Sequence, residues 1–249
     1  MTSLGDDVFV VRDGSQQVEV YDAATFTIQR HITVHGLGSF ARGVTACARN
    51  KCLYLSDWLK DNVHRVELPG GNAMQWSVAK GPDGLSVNIA HNLVVACKTA
   101  NKLQEYTTHG SLVREICLQA GVTNPWHAIQ LSTGDYVVSQ HTSLGVVGVI
   151  GVNGQVVHSY GQSQTSDVEE MRFPTNLAVT KNTILVANHN NRILSINRST
   201  GCVQVLALSV DGGIQNPLGL CLDESRGRLY VGERGRDLRR VLVFDGVRL

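Results

Sequence analysis

Helical periodicity is missing from this sequence. No window of 11 or more residues repeats its apolar side chains at helical spacing. No apolar run approaches the roughly 20 residues that a membrane-spanning helix needs. Charge is scarce, at 17% of residues, and nearly balanced at a formal +1. Neither a membrane nor DNA is therefore an expected partner. The six cysteines, at 47, 52, 97, 117, 202 and 221, form no C-x-x-C pair and no zinc-knuckle spacing. Catalytic signatures are absent too. There is no G-x-S-x-G elbow, no H-x-E spacing and no Gly-rich phosphate loop leading into a helix. No catalytic residue, metal or cofactor is expected, and the leaning is toward a non-enzyme. The opening Met1-Thr2-Ser3-Leu4-Gly5-Asp6-Asp7 lacks the basic and apolar segments of a signal peptide. A cytoplasmic location is the expectation. Cys47 and Cys52 flank the turn Ala48-Arg49-Asn50-Lys51, which admits a cross-hairpin disulfide, but reduced thiols suit that location better.

What is present is a repeat. Short β-branched runs separated by Gly, Asn, Asp and Ser recur along the chain, the signature of many short strands. One strand type returns six times: Val8–Asp13, Cys52–Asp57, Leu93–Lys98, Tyr136–Gln140, Ile184–Asn188 and Leu229–Glu233. The last residues of these runs lie 44, 41, 42, 48 and 45 positions apart. That is the period of a propeller blade with four strands. The expected fold is all-β, a six-bladed β-propeller of four-stranded antiparallel blades. The blades should cover approximately 1–38, 39–80, 81–120, 121–170, 171–213 and 214–249, as a single domain. The first blade supplies only its second, third and fourth strands to this pattern, and the last only its first three. Incomplete first and last blades are thus expected, with the chain read as a piece of a longer protein.

Two blades carry a family signature. Phe173-Pro174-Thr175-Asn176-Leu177-Ala178-Val179, followed by Ile184-Leu185-Val186-Ala187-Asn188-His189-Asn190-Asn191-Arg192-Ile193, resembles the NHL repeat. Asn216-Pro217-Leu218-Gly219-Leu220 through Tyr230-Val231-Gly232-Glu233 is similar. The segment from Gly161 to Glu170 looks like the Gly/Ser-rich inter-blade segment of such proteins. The resemblance implies a partner-binding or RNA-binding propeller, as at the C-terminus of TRIM-type ubiquitin ligases, where it serves substrate recognition.

In a four-stranded blade, the loops entering strand one share a face with those joining strands two and three, and binding residues concentrate in such loops. A protein or peptide partner is the first expectation. Trp58 and Trp126 would act as aromatic anchors, with Lys60, His127, His189, Arg192, Arg234 and Arg236 as polar or charged contacts. Phe40 and Phe173 would lie nearby. RNA is the alternative partner, yet the ten basic residues on this face meet nine acids, and phosphate binding needs uncompensated charge. Only the stretch from Arg234 to Arg240 is locally basic. The remaining alternative is a gluconolactonase-like hydrolase or a peptidyl-hydroxyglycine-lyase-like enzyme with a metal in its central channel. Asn124, Asn176, Asn216, His127, His141 and His189 are its candidates, although Asn124 and Asn216 are also good turn formers before proline.

Overall fold

The computed structural model describes residues 1–12, 14–119, 121–161, 171–206, 208, 210, 213–234 and 240–247. The chain divides into two compact units, Met1–Leu118 and Gln119–Leu249. The first unit contains three antiparallel meanders. They are β1 (Thr2–Leu4), β2 (Asp7–Val11), β3 (Gln17–Asp22) and β4 (Ile28–Thr33); β5 (Ala41–Cys47), β6 (Cys52–Asp57), β7 (Asn62–Glu67) and β8 (Ala73–Ser77); and β9 (Pro82–Val87), β10 (Leu93–Cys97), β11 (Lys102–Tyr106) and β12 (Leu112–Cys117). The second unit adds β13 (Pro125–Gln130), β14 (Tyr136–Gln140), β15 (Val146–Ile150) and β16 (Val156–Tyr160); β17 (Pro174–Val179), β18 (Thr183–Asn188), β19 (Arg192–Asn197) and β20 (Val203–Val205); and β21 (Pro217–Asp223), β22 (Arg228–Glu233) and β23 (Val241–Phe244). These are the six blades of a β-propeller, and the described residues contain no helix.

One expectation is corrected. The first blade is complete, because Thr2–Leu4 pairs with β2 through Thr2↔Phe9, Ser3↔Val8 and Leu4↔Asp7. A three-residue strand with two hydroxyl side chains carries too little apolar signal to show as a period-two pattern. Among the described residues the last blade has three strands, as expected. Residues 162–170 of the inter-blade segment lie outside the described residues.

Each blade buries both faces of its middle strands, which is why β10 and β14 are buried throughout. Outer strands such as β12, Leu112–Cys117, are mostly exposed and carry charges. Within the first unit, Phe9, Val18, Val20, Leu53 and Leu55 pack the first blade on the second. Tyr54, Leu85, Val95 and Tyr106 pack the second on the third. Val137, Val147, Ile184 and Val186 do the same in the second unit, as do Leu185, Ile193, Leu229 and Val231. Cys47 and Cys52 pair across their hairpin, and all six cysteines are free thiols; Cys117 and Cys202 are exposed rather than packed.

In four blades the polar residue ending the second strand has a structural reason. Asp57, Gln140, Asn188 and Glu233 are all buried. Each accepts a backbone N–H from the loop that enters strand one: Gly38 to Asp57 Oδ2 (2.7 Å), Thr123 to Gln140 Oε1 (3.0 Å), Arg172 to Asn188 Oδ1 (2.8 Å) and Gln215 to Glu233 Oε1. The acceptors are buried polar groups that must be satisfied, and these bonds do it while fixing the loop. Hydroxyls then stitch neighbouring blades. Ser56 Oγ accepts from Gly43 N–H and donates to the Asp83 carbonyl, both at 2.7 Å. Ser139 Oγ likewise accepts from His127 N–H at 3.2 Å and donates to the Thr175 carbonyl. The blades approach so closely that a Cβ at Gly43 would collide with the Asp83 carbonyl oxygen.

Candidate functional site

Strand one of the second to sixth blades begins with a β-bulge. The register shifts between Ala41 and Val44, Val95 and Cys97 (opposite Leu85 and Pro82), Pro125 and His127, Pro174 and Leu177, and Pro217 and Gly219. Bulges re-aim side chains and recur beside functional sites. In the last four blades the residue before the strand is left-handed: Gly81 at φ 72°, Asn124 at 51°, Phe173 at 47° and Asn216 at 43°. Gly and Asn adopt this conformation readily, whereas a bulky Phe does so only against steric strain.

Phe173 sits in a cluster of rings in the second unit. Trp126 of β13 stacks on His141 with centroids 4.4 Å apart and planes 30° from parallel. His141 tilts against Phe173 at 5.2 Å and meets His189 edge-on at 6.2 Å. Phe173 also meets His189 edge-on, at 6.2 Å. Backbone bonds set this arrangement: Phe173 N–H donates to Thr142 O, His141 N–H to Asn124 O, and His189 N–H to Arg172 O. Trp126, His141 and Phe173 are half-buried, while His189 is exposed. Arg192, at the start of β19, and Arg234, after β22, are exposed as well. Arg236 lies outside the described residues.

His127 is placed differently from a surface contact. It lies within β13, is 5% exposed, and its Nδ1 accepts the Leu177 N–H at 3.1 Å. The expected contact role is corrected to a structural one, since the ring satisfies an amide freed by the bulge in the next blade. Asn176 has the equivalent role in the following blade, accepting the Leu220 N–H at 3.2 Å. Two of the metal candidates are thus engaged in inter-blade bonds. Asn124 and Asn216 hold left-handed turns. Among the described residues no three His, Cys, Asp or Glu side chains converge on one point.

In the first unit Trp58 is half-buried in the turn after β6, and its N–H donates to Phe40 O at 3.2 Å. The exposed Arg42 places its guanidinium carbon 5.6 Å from the Trp58 ring centroid, a cation–π pair. Lys60 is exposed and its Nζ donates to Gly36 O at 2.7 Å. Within electrostatic reach of Arg42 lies Asp83, 2% exposed, with an Oδ1 that makes no hydrogen bond. Burial pushes its carboxyl up to about 6, although Arg42 and Lys98 act against that rise. Burial also lowers the Lys98 ammonium, as does Arg42, while Asp83 counteracts both. Trp76 stands apart on outer strand β8, between Tyr54 at 6.2 Å and Tyr106 at 6.0 Å, as inter-blade packing.

Sequence reasoning named Trp58, Lys60, Trp126 and His189 but missed the centring of one cluster on His141 and the buried carboxylate near Arg42. The available signal was Phe173 itself, a ring in the slot that the third, fourth and sixth blades fill with Gly81, Asn124 and Asn216. No family model matches the chain, and no curated protein matches it in sequence. Similar solved structures include hydrazine synthase of Kuenenia stuttgartiensis, at 20% identity and TM-score 0.70, covering 97% of this chain and 74% of that one. The nidogen–laminin complex is similar at 13% identity and TM-score 0.74, covering 95% and 88%. A catalytically inactive virginiamycin B lyase from Staphylococcus aureus with quinupristin is similar at 13% identity and TM-score 0.67, covering 90% and 73%. A synthase, a lyase and a nidogen–laminin complex share this architecture, so the likeness carries the β-propeller fold and the choice of function falls to the side chains.

Proposed function

We propose that this chain is a non-enzymatic, NHL-like propeller that binds a protein or peptide through its loop face, in the manner of a substrate-recognition module. The observation that supports this reading is the ring cluster of Trp126, His141, Phe173 and His189. Its rings are seated by backbone bonds at His141, Phe173 and His189 and are partly exposed, and the exposed Arg192 begins the strand that follows the turn carrying His189. Rigid aromatics beside arginine are what energetically dominant contact residues look like. The strained backbone of Phe173 fits the same reading, because it holds a bulky ring in the left-handed slot occupied by Gly81, Asn124 and Asn216 in three other blades.

The strain also provides a clean test. Phe173→Asn installs the residue type found at 124 and 216, so it should fold as well as the parent or better, while deleting the ring. Peptides selected from a random display library on the intact chain would be titrated against the parent, Phe173→Asn and His189→Ala. Losses of about tenfold or more in affinity are expected, each corresponding to roughly 1.4 kcal/mol, with unchanged or raised thermal midpoints. Selected peptides that bind both variants as tightly as the parent would refute the proposal.

A further inference from the structure

We infer that Cys47 and Cys52 form a redox modification site, a dithiol that a hydroperoxide converts into a disulfide and a small dithiol returns to the reduced state. The site is independent of the partner-binding reading. It lies at the turn between strands one and two of the second blade, the end opposite the loop joining strands two and three. Register is its basis. Cys47 of β5 and Cys52 of β6 stand directly opposite each other on the rung that closes the hairpin. Residues so placed have Cα atoms about 4.5 or about 5.5 Å apart, and both separations fall within the roughly 4.4–6.8 Å that disulfides span. Directly opposed side chains also share one face of the sheet, so the sulfurs can meet by side-chain rotation. The other cysteines lack such a partner. Cys97 stands opposite Lys102 and Pro82, Cys117 opposite Lys102, and Cys221 opposite Tyr230. Cys202 lies between β19 and β20.

The two sulfurs are set among donors. Asn50, within the turn, donates from Nδ2 to Cys47 Sγ at 3.3 Å. Burial raises the Cys52 thiol, while side-chain hydrogen bonds with Tyr54 and Arg65 and the charge of Arg65 act against that rise. Arg65 is itself fixed, donating to Thr108 Oγ1 at 3.3 Å and to Glu67 Oε1 at 3.2 Å. A cation and N–H donors beside sulfur favour the thiolate, the form that attacks an oxidant. By contrast, burial pushes the Cys97 thiol up to about 12. Both paired thiols are buried, but Ala48 and Arg49 of the adjoining turn are exposed, and a hairpin end opens at low cost. The chemistry closes with hydrogen peroxide as the oxidant. One sulfur attacks it and breaks the O–O bond, giving a sulfenic acid and one water. The second thiol then displaces the hydroxyl, which forms the S–S bond and releases a second water. Dithiothreitol reverses the change by exchange and leaves as its own disulfide.

The test reads the pair directly. Trypsin cuts after Arg49 and Lys51, so the two cysteines leave on separate peptides, Gly43–Arg49 and Cys52–Lys60. The intact chain, folded and dilute, is treated with hydrogen peroxide, its remaining thiols are alkylated, and it is digested without reductant. Mass spectrometry should find the two peptides joined at doses that leave Cys97 and Cys221 recovered as alkylated thiols. Dithiothreitol should separate them. The join should persist in a Cys117→Ser, Cys202→Ser double variant, which lacks both exposed thiols, and should vanish in Cys47→Ser. Recovery of both peptides unjoined after Cys117 and Cys202 have been oxidised would overturn the inference. So would a join that forms only in urea. These two readings come from the parent chain, so they decide the matter even where a variant fails to fold.

Discussion

A buried carboxylate with an unpartnered oxygen should be visible in the stability of the protein. Asp83 holds its proton more tightly in the folded chain than at its ordinary value of 3.8, chiefly through burial, with a folded value of about 6. Its contribution is therefore most favourable below pH 4 and is lost as pH rises through about 6. A displacement of that size corresponds to roughly 3 kcal/mol at high pH. Asp83→Asn removes the charge yet keeps the backbone carbonyl that receives Ser56. It should raise the urea midpoint at pH 8, with the gain vanishing near pH 4; a gain that is the same at both pH values would contradict the account. His64 acts in the opposite sense. Burial lowers its ring below the ordinary 6.5, although Asp57 pulls the other way. Its contribution is present above pH 6.5 and lost as pH falls through the lower folded value. Neither effect could be read from sequence, where Asp83 is one acid among nine on a mixed face and His64 one polar residue in a strand. Burial alone distinguishes them, and burial is a property of the neighbouring blade.

At the scale of strands the sequence was far more transparent. The second strands were expected within a residue or two of Asp7–Val11, Cys52–Asp57, Leu93–Cys97, Tyr136–Gln140, Thr183–Asn188 and Arg228–Glu233, because apolar runs between turn residues are a local signal. Their terminal polar residues were equally visible, but their purpose was not. Asn188 ends a strand in sequence; in the fold it caps the Arg172 amide of a loop 16 residues earlier. Likewise His127 reads as a loop-face contact until its Nδ1 is found bonded to Leu177, 50 residues on. Non-local partners of this kind leave no mark in a single sequence. Replacing Asn188 with Leu, of similar size, should remove the acceptor of the Arg172 amide and cost about 1 kcal/mol or more. Ser56→Ala, which removes an acceptor for Gly43 and a donor to Asp83, should cost a similar amount. Urea unfolding at constant m-value would measure both, and changes under about 0.5 kcal/mol would show that surface scatter rather than capping is at work. The two sites lie in different units, so their costs should add.

Among the described residues the β-propeller has one three-stranded blade. In the first five sheets the third strand lies between two neighbours, and the outward row of amides belongs to a polar fourth strand. In the sixth, β23 pairs with β22 through Gly232↔Val241 to Leu229↔Phe244, and the described residues place nothing on its other edge. Its residues, Val241-Leu242-Val243-Phe244, nonetheless have the composition of the third strands that are covered elsewhere, such as Ile193-Leu194-Ser195-Ile196. An apolar edge without charge or proline is one that proteins ordinarily protect. Local opening energies range from near zero at frayed edges up to the global stability in the core. Hydrogen exchange should therefore divide β23 from its counterparts. Alternate amides of Val241–Phe244, those not directed at β22, should exchange early, while the amides of β19 and β7 persist to the limit set by global unfolding. The pattern should hold across protein concentrations, because an edge that acquired a strand from a second copy would become protected as concentration rises. Uniform early protection along β23 in dilute protein would mean that another strand already lies against it, and the three-stranded description of the sixth blade would have to be abandoned.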